Sequence, residues 1–386
     1  MRAVRLTHWG APAVLTDVER PSPSGEEVLI RVEAAGLCGS DLHVLGARPG
    51  TLPYAPPFTL GHEVAGRVVE RGPDAVGPRI GERVVVYGPW GCGRCGRCAV
   101  GAENYCDRRA ALDAARAGTG AGLGRDGGLA DFLLVPSGRL LLPVGDLDPA
   151  QAAPLSDAGL TSYHAVAGLR PTPGGDRSGG RNGGRNGGEN GGGTGGTGGT
   201  GGPGSTGGDV DGANVVVIGV GGLGHLAVQI LRAITSARVL AVDVREEAIA
   251  LADECGAHFG TVVRADTADA LRKRTGDAGV DAVLDFVGTS ATLGLGLSVL
   301  RAGGALSLVG SGGGELTVRK PGALPPGLRI SLPFWGTRPD LEQVVALARS
   351  GAVRVATERF PLSRAPEAID ALRSGRVRGR AVLIPG

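Results

Sequence analysis

The chain has 386 residues, 42% hydrophobic and 20% charged, a balance that reads as globular and too long for a single ordinary core. A formal net charge of +2 gives no reason to expect nucleic acid or an anionic membrane surface as a partner. No run of about 18 apolar residues offers a membrane span, and the basic start Met1–Arg5 has no apolar stretch behind it, so no signal peptide is expected.

Taken in order, residues from Met1 to about Leu142 read as short β-rich segments. Glu27–Val32, Val64–Glu70 and Arg83–Val86 alternate or run apolar between Gly and Pro punctuation, which suits a compact barrel-like domain. A helical pattern covers Asp157–Ala167. The stretch Gly174–Gly208 is more than half glycine, with RNGG, ENGG and TGG repeats, and reads as a flexible, solvated surface insertion. From Asn214 onward strand and helix alternate. Strands are predicted at Asn214–Gly219, Arg238–Asp243, Ala282–Val287, Ala305–Val309 and Arg329–Leu332, and helices at Leu223–Ile234, Arg245–Cys255 and Leu341–Ser350. Continuous apolar strands separated by helices indicate an α/β fold with a doubly wound parallel sheet. The tail ends in a short strand, Ala381–Ile384.

Three motifs carry chemistry. In Gly61-His62-Glu63-Val64-Ala65-Gly66 a His-Glu pair leads into an apolar strand, where lone polar groups are costly unless a cation compensates them. Cys38 alone reads as a small buried residue. Beside His62 it supplies half of an open, catalytic zinc site, with Glu63 and Asp157 as candidates for the third ligand. Cys92, Cys95, Cys98 and Cys106 supply four thiolates within one loop, which fits a closed, structural zinc site, an iron–sulfur cluster being the alternative. This spacing favours a reducing compartment, the cytoplasm, over a disulfide framework. Finally, Gly219, Gly221, Gly222 and Gly224 form a G-x-G-x-x-G turn between strand and helix, and Asp243 ends the next strand. That context predicts dinucleotide binding, with Asp243 on the adenosine ribose and NAD favoured over NADP. His225 reads equally as a pyrophosphate neighbour or an ordinary helix-start residue. Cys255, His8, His164 and His258 read as structural.

Together these residues resemble the zinc-dependent medium-chain alcohol dehydrogenases, most closely the bacterial NAD-dependent secondary alcohol dehydrogenases. The likeness rests on Gly36–His43, Gly61–Gly66, the four-cysteine loop and Gly219–Gly224, in the family's order. Pro89–Cys92, Pro154–Thr161 and Trp335–Arg338 carry the closer likeness. The resemblance implies a GroES-like catalytic domain at 1–157 with a structural zinc loop at 92–106. A Rossmann domain would follow at 158–336, with 337–386 returning to the catalytic domain. It also implies Cys38, His62 and Asp157 as ligands of a catalytic zinc, Glu63 as an adjoining or exchanging carboxylate, and Asp41 as partner of the free His62 N–H. Ser40 and His43 match the proton relay, and Thr161 and Arg378 match positions contacting the cofactor. The implied reaction is hydride exchange between an alcohol and NAD, with two zinc ions per chain and a homo-oligomeric assembly, dimer or tetramer. Tyr54 and Trp335 are scarce aromatics in segments suited to line the substrate pocket, which with Leu52, Pro53 and Leu332 would take small-to-medium apolar alcohols and ketones. A polyol or threonine dehydrogenase of the same scaffold is the rival reading. A zinc-independent quinone or enoyl reductase would lack the Cys38/His62 pair and the cysteine loop. A non-enzymatic zinc module would leave the glycine turn unexplained.

Overall fold

The computed structural model describes residues 1–114, 118–169, 212–320 and 322–386. The glycine-rich stretch 174–208 lies outside the described residues. Among the described residues no helix is long and apolar enough to cross a membrane.

The strand Val28–Leu37 is the hub of a seven-stranded sheet. One edge pairs antiparallel with Glu63–Arg71, and the other is shared between Phe132–Val135 and the C-terminal strand Arg380–Ile384. Register shifts between Leu29 and Ile30, and between Val32 and Ala34, interrupt the pairing with Glu63–Arg71. Gly36 stands opposite Glu63, and a Cβ on Gly36 would collide with the Glu63 carboxylate. The glycine is thus needed for a buried charge to sit flat against the sheet. Because Ala381–Leu383 pairs with Leu37–Ala35, the chain's last strand brings Arg380 beside both Cys38 and Glu63.

The second sheet is wholly parallel and six-stranded. Its order is Phe259–Val262, Arg238–Asp243, Asn214–Ile218, Val280–Asp285, Leu300–Leu308 and Arg329–Ser331. Val215, Val216 and Val217 are all fully buried, as a strand covered on both faces requires. The first of these strands in the chain lies in the middle, so strand order reverses beside it and a crevice opens at the carboxyl ends. The expected doubly wound sheet is therefore present, with the extra edge strand Phe259–Val262 not foreseen. Helix Ala158–Ala167 joins the two sheets. It is apolar around most of its circumference and packs against both Gly224–Ile234 and Arg338–Arg349, in a core cluster that runs through both halves.

Candidate active site and metal centres

The strand Val28–Leu37 delivers Cys38 to the start of the short helix Gly39–Leu45. Asp41, one turn in, turns back so that its Oδ2 accepts the Cys38 N–H at 2.9 Å. Its other oxygen faces His62 Nδ1 at 3.4 Å, and neither atom has a nearer partner. His62 Nε2 in turn faces Asp157 Oδ2 at 3.4 Å. The ligand atoms of Cys38, His62 and Asp157, all buried, lie within 4.8 Å of one another. Burial works to lower the His62 pKa, but the Asp41 charge and hydrogen bonds with Asp157 and Asp41 outweigh it and hold it well above 6.5. Burial likewise works to raise Asp157, yet His62 and Arg380 hold it well below the usual carboxylate range. A thiol, an imidazole and a carboxylate converging on one buried point make a soft, net-negative donor set that fits a zinc ion with one open position.

Glu63 does not join that set. Its carboxylate is gripped by Arg380, with Arg380 Nε donating to Oε2 at 2.8 Å and Nη2 to Oε1, and Oε1 also accepts the Ala158 N–H at 3.0 Å. Arg380 Nη2 reaches Asp157 Oδ2 at 3.3 Å as well. The expected adjoining carboxylate is thus present beside the metal set, but its charge is spent on an arginine that sequence reasoning missed. The signal was available: a lone arginine opening an otherwise apolar strand, in a chain whose buried Glu63 lacked a counter-charge.

Ser40 Oγ lies 3.7 Å from Cys38 Sγ, and His43, on the exposed face of the same helix, has its Nδ1 3.4 Å from Ser311 Oγ beyond the parallel sheet. His43 therefore bridges the two halves. Thr161 is buried one turn past Asp157 and donates its hydroxyl to Asp157 Oδ1 at 3.1 Å. Trp335 lies with its ring centroid 6.2 Å from that of His62. Tyr54 packs edge-on against Phe58, and burial, against the neighbouring charge of His62, pushes its hydroxyl up to about 12.

In the glycine turn, a Cβ on Gly224 would strike the Gly219 carbonyl oxygen, and one on Gly222 would strike Arg380, whereas Gly221 faces open space. Gly219 itself has φ +86°, which a side chain would resist. Asp243 Oδ2 accepts the Val220 N–H at 2.8 Å and Oδ1 the Arg245 N–H at 3.1 Å, so the carboxylate is fixed at the mouth of the turn. A cavity of about 350 Å³ opens there between Val220, Arg245, Leu251 and Arg378. Arg378 lines this cavity while pairing with Glu254 at 2.5 Å; the arginine against the turn is Arg380. His225 faces away: its Nδ1 bonds the Gly221 carbonyl at 2.8 Å, and its Nε2 accepts the Ala356 N–H at 3.1 Å. His164 and His258 are similarly engaged, the former with Asp340 at 2.8 Å and Tyr105 at 2.9 Å, the latter with the Val239 N–H at 2.9 Å.

The four-cysteine loop is folded around a point. Cys95 Sγ lies 3.4 Å from Cys98 Sγ and 3.9 Å from Cys106 Sγ, and all four sulfurs are within 4.8 Å of one another. Backbone N–H groups of Cys92 and Arg108 point at Cys106 Sγ at 3.3 and 3.4 Å. Hydrogen bonds of this kind, led by the Arg94 N–H, pull the Cys92 thiol down to about 6, while burial pushes Cys98 up to about 12. Four converging sulfurs fit a tetrahedral structural metal. Cys255 stands apart, and burial pushes its thiol up to about 11.

A glycine turn at the carboxyl edge of a parallel sheet, beside a buried thiol–imidazole–carboxylate set, defines the class of dinucleotide-dependent metallo-oxidoreductases. Residues 24–146 match the family model of the alcohol dehydrogenase GroES-like domain, and residues 222–350 that of the zinc-binding dehydrogenases. An NAD-dependent alcohol dehydrogenase of Sulfurisphaera tokodaii is 34% identical over 100% of both chains. The crystal structure of the alcohol dehydrogenase from Aeropyrum pernix matches with a TM-score of 0.81 and 31% identity, covering 100% of both chains. Acetophenone reductase from Geotrichum candidum, in complex with NAD, matches at 0.78 with 30% identity, covering 99% of this chain and 96% of that one. The chain belongs to the zinc-type medium-chain alcohol dehydrogenases, NAD-dependent oxidoreductases that interconvert alcohols with ketones or aldehydes.

Proposed function

We propose that this enzyme oxidises small-to-medium apolar secondary alcohols with NAD at the centre formed by Cys38, His62 and Asp157. The observation carrying this reading is the meeting of those three ligand atoms within 4.8 Å, beside a glycine turn built for a dinucleotide. Bound there, zinc supplies the Lewis acidity that makes a hydroxyl acidic near neutral pH, and NAD supplies the hydride acceptor. The chain's own residues do the rest. Asp41 fixes the His62 ring through Nδ1. Ser40, next to Cys38, accepts the alcohol proton at Oγ and passes its own toward His43 at the solvent edge. Arg380 neutralises Glu63 and holds Asp157 from behind while touching Gly222, so metal set and cofactor turn share one positioning residue. Arg378, lining the cavity beside the turn, serves the pyrophosphate, and Asp243, fixed at the mouth of the turn, takes the adenosine ribose. Trp335 and Tyr54 form apolar walls that keep water from the reacting carbon.

In this reading the catalytic lobe comprises 1–157 and 337–386, the cofactor lobe 158–336, and each chain carries two zinc ions, one of them structural in the four-cysteine loop. The six free cysteines support a reducing compartment, the cytoplasm. The exposed apolar side chains Ile330, Leu332 and Phe334 at the sheet's edge support a homo-oligomer.

The test is NAD reduction by the purified enzyme against primary, secondary and polyol substrates, with zinc counted by elemental analysis. Fastest turnover on apolar secondary alcohols and two zincs per chain are expected. A clear preference for polyols would move the assignment to a polyol dehydrogenase. Cys38→Ser should abolish turnover while NADH still binds.

A further inference from the structure

Trp335 is one of two non-glycine residues with positive φ among the described residues, at 52°, and the only one of them that is buried. A tryptophan does not choose that conformation unaided, because its Cβ crowds the backbone there. The peptide carbonyls on either side are held. Asn104 Nδ2 donates to the Phe334 carbonyl at 3.0 Å, and the Tyr87 hydroxyl donates to the Gly336 carbonyl at 2.7 Å. Two residues further on, the Arg338 N–H donates to the Gly101 carbonyl at 2.7 Å. Asn104 and Gly101 both belong to the stretch between Cys98 and Cys106, and Tyr87 precedes the loop's first cysteine, Cys92, directly after the strand Arg83–Val86. Asn104 and Tyr87 are themselves buried, so neither clamp competes with water. Between the clamps the indole is aimed inward, over Gly88 and toward His62.

We propose that Asn104 and Tyr87 are positioning residues for Trp335, so that the four-cysteine loop sets the width of the substrate space. The four sulfurs then fix more than the loop. They fix the peptide turn that presents the indole, and a shift of the loop is transmitted to the wall facing the reacting carbon. Loosening either clamp lets Trp335 relax toward ordinary φ and withdraw, which opens the site to bulkier alcohols. The proposal rests on Trp335 being a wall of the substrate space, and the test separates the two ideas.

The measurement is the ratio of kcat/KM for methylphenylcarbinol to that for isopropanol, in Asn104→Ala, Tyr87→Phe, Trp335→Ala and each clamp variant combined with Trp335→Ala. Tyr87→Phe removes one oxygen only and keeps the question answerable if Asn104→Ala fails to fold. Each clamp variant should raise the ratio by about threefold or more, a small part of what pocket contacts discriminate. That rise should vanish once Trp335 is already alanine, with the KM for NAD unchanged throughout. If Trp335→Ala shifts the ratio but neither clamp variant does, or if the clamp effect persists without the indole, the positioning role is overturned. If Trp335→Ala itself leaves the ratio unchanged, the wall assignment falls, and the proposal with it.

Discussion

Arg380 shows how much one side chain can hold together. It is buried and has oxygens of Glu63 and Asp157 within reach, and its flank closes on Gly222. Arg380→Met should therefore cost about 3–5 kcal/mol by leaving buried carboxylates unpaired, and Arg380→Met with Glu63→Gln should recover part of it. Equilibrium denaturation of the parent and these two variants checks this, and an equal loss in the single and double variants would count against the pairing. His225 offers a pH test. Burial, helped by the charges of Arg380 and Arg378, drops its pKa from 6.5 to about 4, and the neutral ring accepts the Ala356 N–H. The unfolded chain thus binds a proton that the folded chain refuses. Stability is full above pH 6.5 and falls as pH drops toward 4, by up to about 3 kcal/mol. Replacing His225 with Gln should flatten the difference in melting temperature across that window. At this scale the two converging donor sets were legible unequally: the four clustered cysteines by their spacing alone, Cys38 and His62 only when taken together. Arg380 and Asn104 were not legible, because a lone arginine or asparagine has many uses and only the fold shows which carbonyl or carboxylate it meets.

The glycine turn divides its glycines into two physical kinds, and substitution should tell them apart. Gly224 needs its hydrogen because the Gly219 carbonyl occupies the space a methyl would take, so Gly224→Ala should misfold the turn and lower the melting temperature. Gly221 has nothing within 4 Å, so Gly221→Ala should melt with the parent while binding NADH about tenfold more weakly, its methyl lying where a pyrophosphate would approach. Titration of NADH fluorescence alongside thermal melts reads both effects, and unaltered NADH affinity in Gly221→Ala would remove the turn from the cofactor site. Elements with strong periodicity were legible to within a residue or two: Arg83–Val86 and Arg238–Asp243 fall where the sequence places them. Phe259–Val262 was missed because an edge strand is only half covered and carries no apolar signature, and Thr357–Pro361 because it ends on a proline at another edge. Helix Ser290–Val299 was missed because its two interior glycines argue against a helix that tertiary packing nevertheless enforces.

For the molecule as a whole, the β-rich start and the parallel sheet were legible from element order, whereas the return of the C-terminal strand to the first sheet followed only from the family resemblance. The seam between the two sheets was not legible, since Ser311 near His43 and Trp335 near His62 are contacts across long separations that no local pattern encodes. Among the described residues, the parallel sheet ends at the strand Arg329–Ser331. Ile330 is 39% exposed, Leu332 71% and Phe334 46%, a run of exposed apolar side chains at the edge of the sheet. An exposed apolar edge of this kind invites a partner surface, and a second copy of the chain supplies an identical one across a two-fold axis. Light scattering should therefore give a mass above that of one chain. Ile330→Lys combined with Leu332→Asp should reduce it, because charges on that edge must be desolvated for two copies to meet. A monomeric parent enzyme, or a charged variant of undiminished mass, would show that this edge is not where the copies join.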